Sequence, residues 1–526
     1  MKGRNSIISL CTATMFLFSG CGTANKQTES KIEFKGYPLS SNTEITYWLP
    51  LNSGVSSIYA NFAETEFAKT LAERTGINVK YVHPAAGQEE ASLSLLIASN
   101  QFPDIMEFSW LTYNGGPKKN LSEKIIKPLN DIINDYAPNF SNYLKNNPDI
   151  DKMIKTDDGT YYVFPFIRGD KSLLISVGGM IRQDWLSELN LSVPETVMEL
   201  ENVLTEFKNK KGATAPASFM SSNMNIFLGN FGSTSDFYID NGVVKYGPLE
   251  PNYRIAAETL NRWFDNGLLD PNFVSLDKAA LDSNILMGKS GYTVGSGGGN
   301  LGTWLDNMKD NNEPFEMVGM PFTAIESGRG VEYYNIETNY PGYGSVAISD
   351  ASKNVELAAR YLDYAYGEEG EMFYNFGTEG LSYEMKEGVP TYTDEIYNNP
   401  DSLTISQAMG KYFRASMSGP FIQSKDYITQ FYFRPQQRAT LDAWLKNYDA
   451  IYDKKFPSAT LTEAETSEYT SIMNEITKYT ATSQTNFIVG TTSMEKYDEF
   501  TAKLKSLNID RAIAIQQAAY DRFKKR

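Results

Sequence analysis

The chain has 526 residues, 41% of them hydrophobic, and carries 64 Asp and Glu against 48 Lys and Arg, a net charge of −16. That length accommodates about two to four domains with a substantial core, and so acidic a surface repels nucleic acid and anionic lipid. A single histidine, His83, excludes zinc sites built from several histidines.

The first twenty residues read as a bacterial export signal. Lys2 and Arg4 start it, and Ile7 to Phe18 form a mostly apolar run without charge. This run is too short and too weakly flanked to span a membrane. Leu17-Phe18-Ser19-Gly20-Cys21, with a bulky residue four places before the cysteine and small residues directly ahead of it, resembles a lipoprotein signal. There the peptide is cut before the cysteine and the sulfur receives a diacylglyceryl group, which makes Cys21 the lipidation site. Cys11 falls in the removed part, so Cys21 has no partner for an internal disulfide. Cleavage would leave 506 residues and, without Lys2 and Arg4, a net charge of −18. Residues 21–44 are polar and read as a flexible tether. No later stretch reaches the length of a spanning helix. The expected location is therefore the extracytoplasmic face of the cell membrane, held by lipid.

Beyond the tether, strands and helices alternate. Glu44–Leu49 is β-prone. Ser56–Arg74 carries Phe67 and Leu71 at helical spacing, with Gly76 at a helix C-terminal position. Ile77–Val82 predicts a second strand, Glu89–Ala98 a helix, and Pro103–Phe108 a third strand. Leu121–Tyr136 predicts a helix capped by Asn120 or Ser122. Such alternation implies an α/β fold with a mainly parallel sheet covered on both faces. Asp157-Asp158-Gly159 and Asp240-Asn241-Gly242, each followed by a β-prone run, predict tight hairpins. No fixed-period repeat is present.

Four segments then carry a family resemblance. They are Met180-Ile-Arg-Gln-Asp-Trp-Leu-Ser-Glu-Leu-Asn-Leu followed by Val193-Pro-Glu-Thr, then Phe376-Gly-Thr-Glu-Gly-Leu-Ser-Tyr, Phe487-Ile-Val-Gly, and Ala518-Ala-Tyr-Asp-Arg-Phe. In this order, behind a lipoprotein signal, the chain resembles the large family 1 extracellular solute-binding lipoproteins. These are the capture subunits of ABC importers for sugars and oligosaccharides. The resemblance implies a two-lobed, periplasmic-binding-protein-like (type II) α/β fold with a hinge and an interlobe cleft. Lobe 1 would hold 45–170 and the returning segment 343–395, and lobe 2 would hold 171–342 and 396–526. The implied partners are a sugar or oligosaccharide and membrane permease subunits, with the protein itself a monomer and no cofactor. Trp185 and Leu186 read as core packing in this scheme, and Gly377 and Gly380 as turn glycines.

The cleft residues follow from sugar chemistry. Aromatic rings cover the apolar face of a sugar, and polar side chains bond its hydroxyl rim. Trp48, Trp110 and Trp304 stand at the ends of predicted strands, where ligands bind in open α/β sheets. Each either faces the ligand or fills space between sheet and helices. Trp304, behind five glycines at 295, 297, 298, 299 and 302, is the leading candidate for a ligand platform. Asn52, just beyond the first strand, Arg168, beside the first expected crossing between lobes, and Tyr343, beside a later one, complete the ligand-binding set.

Other signals point away from catalysis. Gly297-x-Gly299-x-x-Gly302 matches a dinucleotide fingerprint in spacing only, and these glycines are expected to bring backbone close to ligand. Some large family members carry an Asp-rich calcium loop after the helix that follows the Arg-x-Asp-Trp segment. Here that place reads Lys208-Asn-Lys-Lys-Gly, so no metal is assigned. There is no Gly-x-Ser-x-Gly elbow and no free mature thiol. The protein is thus expected not to be an enzyme. A carboxylate-pair carbohydrate hydrolase and a sugar-sensing lipoprotein remain as alternatives.

Overall fold

The computed structural model describes residues 34–311 and 314–526. Cys21, the signal at 1–20 and the tether as far as residue 33 lie outside them. Phe34 to Leu39, assigned to the tether by composition, pack against the first lobe. The Tyr37 hydroxyl donates to the Arg360 carbonyl at 2.6 Å, and the Arg360 guanidinium lies 4.2 Å from the Phe34 ring centroid. Leu39 is buried, and its amide donates to Thr75.

The first sheet begins with β1 (Glu44–Trp48), β2 (Asn78–Val82) and β3 (Ile105–Phe108), with β1 central and parallel to both neighbours. Two helices differ from the sequence reading. The one expected from Ser56 starts at Glu66, because Asn61 and Glu64 close a capping box around a tight turn and Thr65 then caps afresh. It ends as expected at Gly76, with φ +69°. The helix expected over 121–136 is two, Pro117–Ser122 and Asn130–Tyr136. Pro128 lies between them, lacking the amide a continuous helix needs. Asp157-Asp158-Gly159 turns with Gly159 at φ +79°, but a single bridge, Lys155 to Tyr161, replaces the expected paired strands.

After a short crossing strand, β4 (Ile167–Arg168), comes β5 (Val177–Arg182), which starts the second sheet. Then β6 (Phe237–Asp240) and β7 (Val243–Tyr246) form the expected hairpin. Asn241 and Gly242 take left-handed conformations at φ +50° and +80°, as a two-residue hairpin turn requires. The strands β8 (Tyr292–Ser296) and β9 (Met317–Gly319) flank β5, both antiparallel. The expectation of mainly parallel pairing fails in this lobe, because the strands reach the sheet from distant parts of the chain rather than through successive β-α-β crossovers. Gly178 leaves β5 bare for the Trp444 indole, which a β-carbon would meet at 2.4 Å. Trp444 Nε1 in turn donates to the Gly179 carbonyl at 2.9 Å.

The chain re-enters the first sheet as β10 (Ser345–Ile348), antiparallel to β3, giving the order β10-β3-β1-β2. A hairpin of β11 (Tyr383–Lys386) and β12 (Val389–Tyr392) follows, and β13 (Ile422–Gln423) pairs in parallel with β4.

Burial corrects the lobe boundaries. The first core runs to Leu173 and resumes from Tyr340 to Tyr432, so it includes Ile396, Met409, Phe413 and Phe421. These residues, placed in lobe 2 by the sequence reading, pack on lobe 1: the Phe413 ring stacks on Tyr392 at 4.9 Å, and Gly410 abuts Val55. The second lobe takes Leu174 to Ile336 and, after the third crossing, residues from Trp444 onward. Its last helix, Ile509–Phe523, reaches back: Arg522 Nε and Arg526 Nη2 each donate at 2.6 Å to Asp157 of the first lobe.

Gly76→Ala tests the docking of Leu39. Its left-handed backbone alone costs an alanine roughly 1–2 kcal/mol, and the new β-carbon would lie 2.1 Å from the Leu39 carbonyl oxygen. Gly212→Ala, also left-handed but facing open space, isolates the backbone part. Chemical denaturation should show the larger loss at Gly76; equal losses would mean that Leu39 is not docked.

Candidate functional site

The strand ends of the first lobe build one wall of a cleft. Residues 49–52 leave β1, Phe108 and Ser109 leave β3, and Tyr343 and Gly344 lead into β10. With Phe62, Arg414 and Met417 they line a cavity of about 260 Å³. A second cavity of about 330 Å³ shares Asn52, Tyr343, Met417 and Ser418 with the first. Its far side consists of second-lobe residues, Ile175, Ser176, Ser296, Gly298 and Gly299. The two are therefore continuous and lie between the lobes.

The floor is the crossing itself. Ile167 and Gly169 donate backbone hydrogen bonds to Phe421 and Gln423, both at 3.0 Å, and Arg168 donates to the Asn339 carbonyl at 2.9 Å. All three crossings thus meet at Arg168. Its Nη2 donates to the Tyr343 hydroxyl at 2.7 Å and its Nη1 to Gln423 Oε1 at 3.0 Å, and its Nε pairs with Glu337. The Tyr343 hydroxyl lies 3.1 Å from the same carboxylate. Burial works against the Arg168 cation, but Glu337 and Tyr343 overcome it and raise its pKa. Burial also pushes the Tyr343 phenol up to about 12, opposed by Arg168 and reinforced by Glu337.

A second ion pair stands in the first-lobe wall. Arg414 Nη2 lies 2.9 Å from Glu107 Oε1, the Tyr47 hydroxyl donates to Glu107 Oε2 at 2.6 Å, and both charged side chains are only 5% exposed. Burial raises the Glu107 pKa, with Arg414 and Tyr47 pulling it down. Removing one partner of such a pair leaves the other charge buried, at a cost of about 3–5 kcal/mol.

Of the residues expected from sequence, Asn52, Arg168 and Tyr343 line the cleft. Asn52 Oδ1 caps the helix Ser53–Ser56 by accepting from Gly54 at 2.8 Å. The three tryptophans do not line it. Trp48 is 1% exposed and meets Phe108 edge-on, while Trp110 is fully buried with Nε1 donating to Met106. Trp304, expected to stand into the cleft, is fully buried among Leu281, Ile285 and Leu301, with Nε1 donating to Asp282 at 2.8 Å. The glycines before it make room for protein: a β-carbon at Gly297 would meet the Tyr432 hydroxyl at 2.7 Å, and one at Gly298 the Phe431 ring at 2.3 Å. Gln437 Nε2 also donates to the Gly297 carbonyl.

Of the rings lining the cavities, Phe108, Tyr343 and Phe431 are part-exposed, while Phe62, Phe166, Tyr427 and Tyr432 are buried. Sequence reasoning missed Glu107, Phe108, Arg414 and Phe431. A carboxylate inside the apolar run Ile105–Phe108 is a legible signal for Glu107; the other three sit in segments without a local pattern. Among the described residues no group of three or more His, Cys, Asp or Glu is placed to hold a metal ion. Residues 208–211, the place of the calcium loop in some large family members, are here the last turn of the helix Val197–Lys211, and Lys208 Nζ donates to the Asn266 carbonyl.

Trp304→Ala should behave as a core deletion, losing about 3–5 kcal/mol of stability while leaving ligand affinity close to wild type where the protein remains folded. Melting and titration of one variant decide this; a stable variant with weakened binding would return Trp304 to the cleft.

Comparison with known proteins agrees with this architecture. The chain is 24% identical to the fructooligosaccharide ABC transporter substrate-binding protein FusA of Streptococcus pneumoniae serotype 4, over 98% of this chain and 97% of that one. The structure of FusA in complex with kestose superposes with a TM-score of 0.73 at 19% identity, covering 92% of this chain and all of that one. The structure of the alginate-binding protein AlgQ2 gives 0.75 at 22% identity over 93% of this chain and all of that one. Lipoprotein LipO of Bacillus subtilis (strain 168) is 23% identical over 69% of this chain and 74% of its own length. A family model for bacterial extracellular solute-binding proteins matches residues 51–372. With that match spanning more than half of the chain, and with a cleft between two lobes joined at three crossings, the protein belongs to the bacterial extracellular solute-binding protein family.

Proposed function

We propose that the protein is the substrate-binding lipoprotein of an ABC importer and that its ligand is an uncharged sugar or oligosaccharide. The observation that carries this reading is the composition of the cleft. Phe108, Tyr343 and Phe431 present rings to it, as stacking on sugar C–H faces requires. The charged residues lining it are Arg168, Arg414 and Glu107, and each is already matched within the protein. A uronate ligand would need a cation free to receive its carboxylate, whereas hydroxyl groups are served by the paired charges and by serines at 172, 176, 296 and 418. The relative FusA, named for fructooligosaccharide, fits this pattern better than the alginate-binding AlgQ2.

Lobe closure about the three crossings would enclose the ligand and present both lobes to a permease. Glu107 is the one carboxylate lining the cavities, held by Arg414 and Tyr47, which favours binding over hydrolysis by a carboxylate pair. The protein is read as a monomer on the extracytoplasmic face, anchored through Cys21. No described helix is long and apolar enough to cross a membrane.

Kestose and related neutral oligosaccharides should raise the melting temperature by mass action, without release of new reducing ends, and alginate or galacturonate oligomers should not. Phe431→Ala should weaken neutral-sugar binding by about tenfold to a hundredfold, the worth of one stacked and buried ring. Stabilisation by uronates alone would overturn the charge argument, and carbohydrate cleavage lost on Glu107→Gln would overturn the binding role.

Cys21→Ala should leave the precursor uncut or release protein into the medium, whereas the native form partitions with membranes, since several acyl chains hold firmly. Equal membrane retention of both forms would refute the anchor.

A further inference from the structure

The sole histidine of the chain stands behind the first-lobe wall of the cleft. His83 follows β2, with Nδ1 2.9 Å from the Leu49 carbonyl oxygen and Nε2 3.1 Å from the Phe62 amide nitrogen. A carbonyl only accepts and an amide only donates, so the two contacts together specify one state of the ring: neutral, with its proton on Nδ1. Both partners are cleft residues. Leu49 opens the loop that continues to Asn52, and Phe62 lines the same cavity beneath the Arg414 guanidinium, 5.2 Å from its ring centroid.

We propose that His83 is a positioning residue for ligand binding: its neutral imidazole ties the Leu49–Asn52 loop to Phe62, and protonation of Nε2 unties them, so that ligand affinity falls on acidification. A proton on Nε2 would confront the Phe62 N–H donor to donor and break that contact, while the bond to Leu49 survives. The ring keeps its tie to the strand end and loses its tie to the turn that carries Phe62.

The ionisable groups on the elements around the ring are engaged elsewhere. Glu64 accepts from the Asn61 amide at 2.8 Å, Glu89 from the Gly87 amide at 2.8 Å, and the Tyr81 hydroxyl bonds Tyr361 at 2.9 Å. Lys80 on the strand and Glu90 on the following helix are not bonded to the ring, and Arg414 lies over the Phe62 ring and pairs with Glu107. With no carboxylate placed to favour the cation, burial lowers the His83 pKa, opposed by the bond to Leu49. A histidine whose folded pKa is depressed stabilises the fold above its unfolded value, and this contribution is lost as pH falls through the folded one.

The inference rests on the sugar-binding reading for its ligand, but its core is testable without one. In the whole mature protein a single histidine gives one imidazole signal by NMR, so its titration is unambiguous. The protection factor of the Phe62 amide, its exchange rate relative to the intrinsic rate at the same pH, should fall as that signal titrates; an undiminished protection factor below the midpoint would overturn the proposal whether or not any sugar binds. With kestose as the probe, affinity should fall about tenfold at one pH unit below the midpoint, as the competent fraction shrinks. Saturating kestose should in return depress the His83 midpoint, a reciprocity that a merely structural histidine would not show. His83→Gln offers a non-titrating acceptor for Phe62 and should bind kestose with flat affinity across this range. A wild-type pH profile retained in His83→Gln would refute the role of His83. Absence of kestose binding at every pH would count against the ligand assignment, leaving amide exchange to judge His83.

Discussion

The two lobes of this protein are joined where three extended segments lie side by side, and their shared partner is one arginine. Arg168 sits in the first crossing, Asn339 in the second and Gln423 in the third. A guanidinium taken largely out of water requires partners: Tyr343 and Gln423 accept from its two Nη atoms, and the Glu337 carboxylate balances its charge, all from the other two crossings. This arrangement fixes where the chain passes between lobes, and therefore where the cleft opens. It also places a charged network at the point about which the lobes would bend, so bending must preserve the network or break it at considerable cost. The Tyr343 hydroxyl serves both sides of the ion pair while its ring lines the cavity.

The same economy of charge shapes the cleft wall. Glu107 on β3 and Arg414 far along the chain neutralise each other out of water, and Tyr47 supplies a further donor to the carboxylate. The pair works as a rigid, internally satisfied wall rather than as a handle for an ionic ligand. On the proposed reading of an uncharged ligand, shape, ring faces and hydrogen bonds would decide affinity. His83 extends this logic to the backbone, since its two bonds hold the strand end and the Phe62 turn in one geometry.

Aromatic residues divide between core and cleft by their surroundings. The buried indoles of Trp48, Trp110, Trp304 and Trp444 fill the spaces between sheets and helices. Three of them, Trp110, Trp304 and Trp444, satisfy their N–H on a carbonyl or carboxylate within the core. Smaller rings, Phe108, Tyr343 and Phe431, are left to face the ligand space. The glycine-rich run before Trp304 serves this packing, since its bare backbone admits Phe431 and Tyr432 from the third crossing.

Much was legible in the sequence because it depends on local chemistry. Hydrophobic spacing located β1 to β3 and the helix Glu89–Ala98, a glycine located the end of Glu66–Thr75, and Asp240-Asn241-Gly242 located a hairpin turn. Motif order indicated the family, and proximity to the crossings singled out Arg168 and Tyr343. The antiparallel second sheet, the membership of 396–432 in the first lobe and the docking of Phe34–Leu39 were decided by tertiary structure. So were the burial of Trp304 and the pairing of Glu107 with Arg414. Each depends on contacts between residues far apart in the chain, and periodicity, capping and turn chemistry extend over only a few residues. A tryptophan after a strand end looks the same whether its ring meets solvent or core; the distinction is made by what the distant chain brings to lie against it.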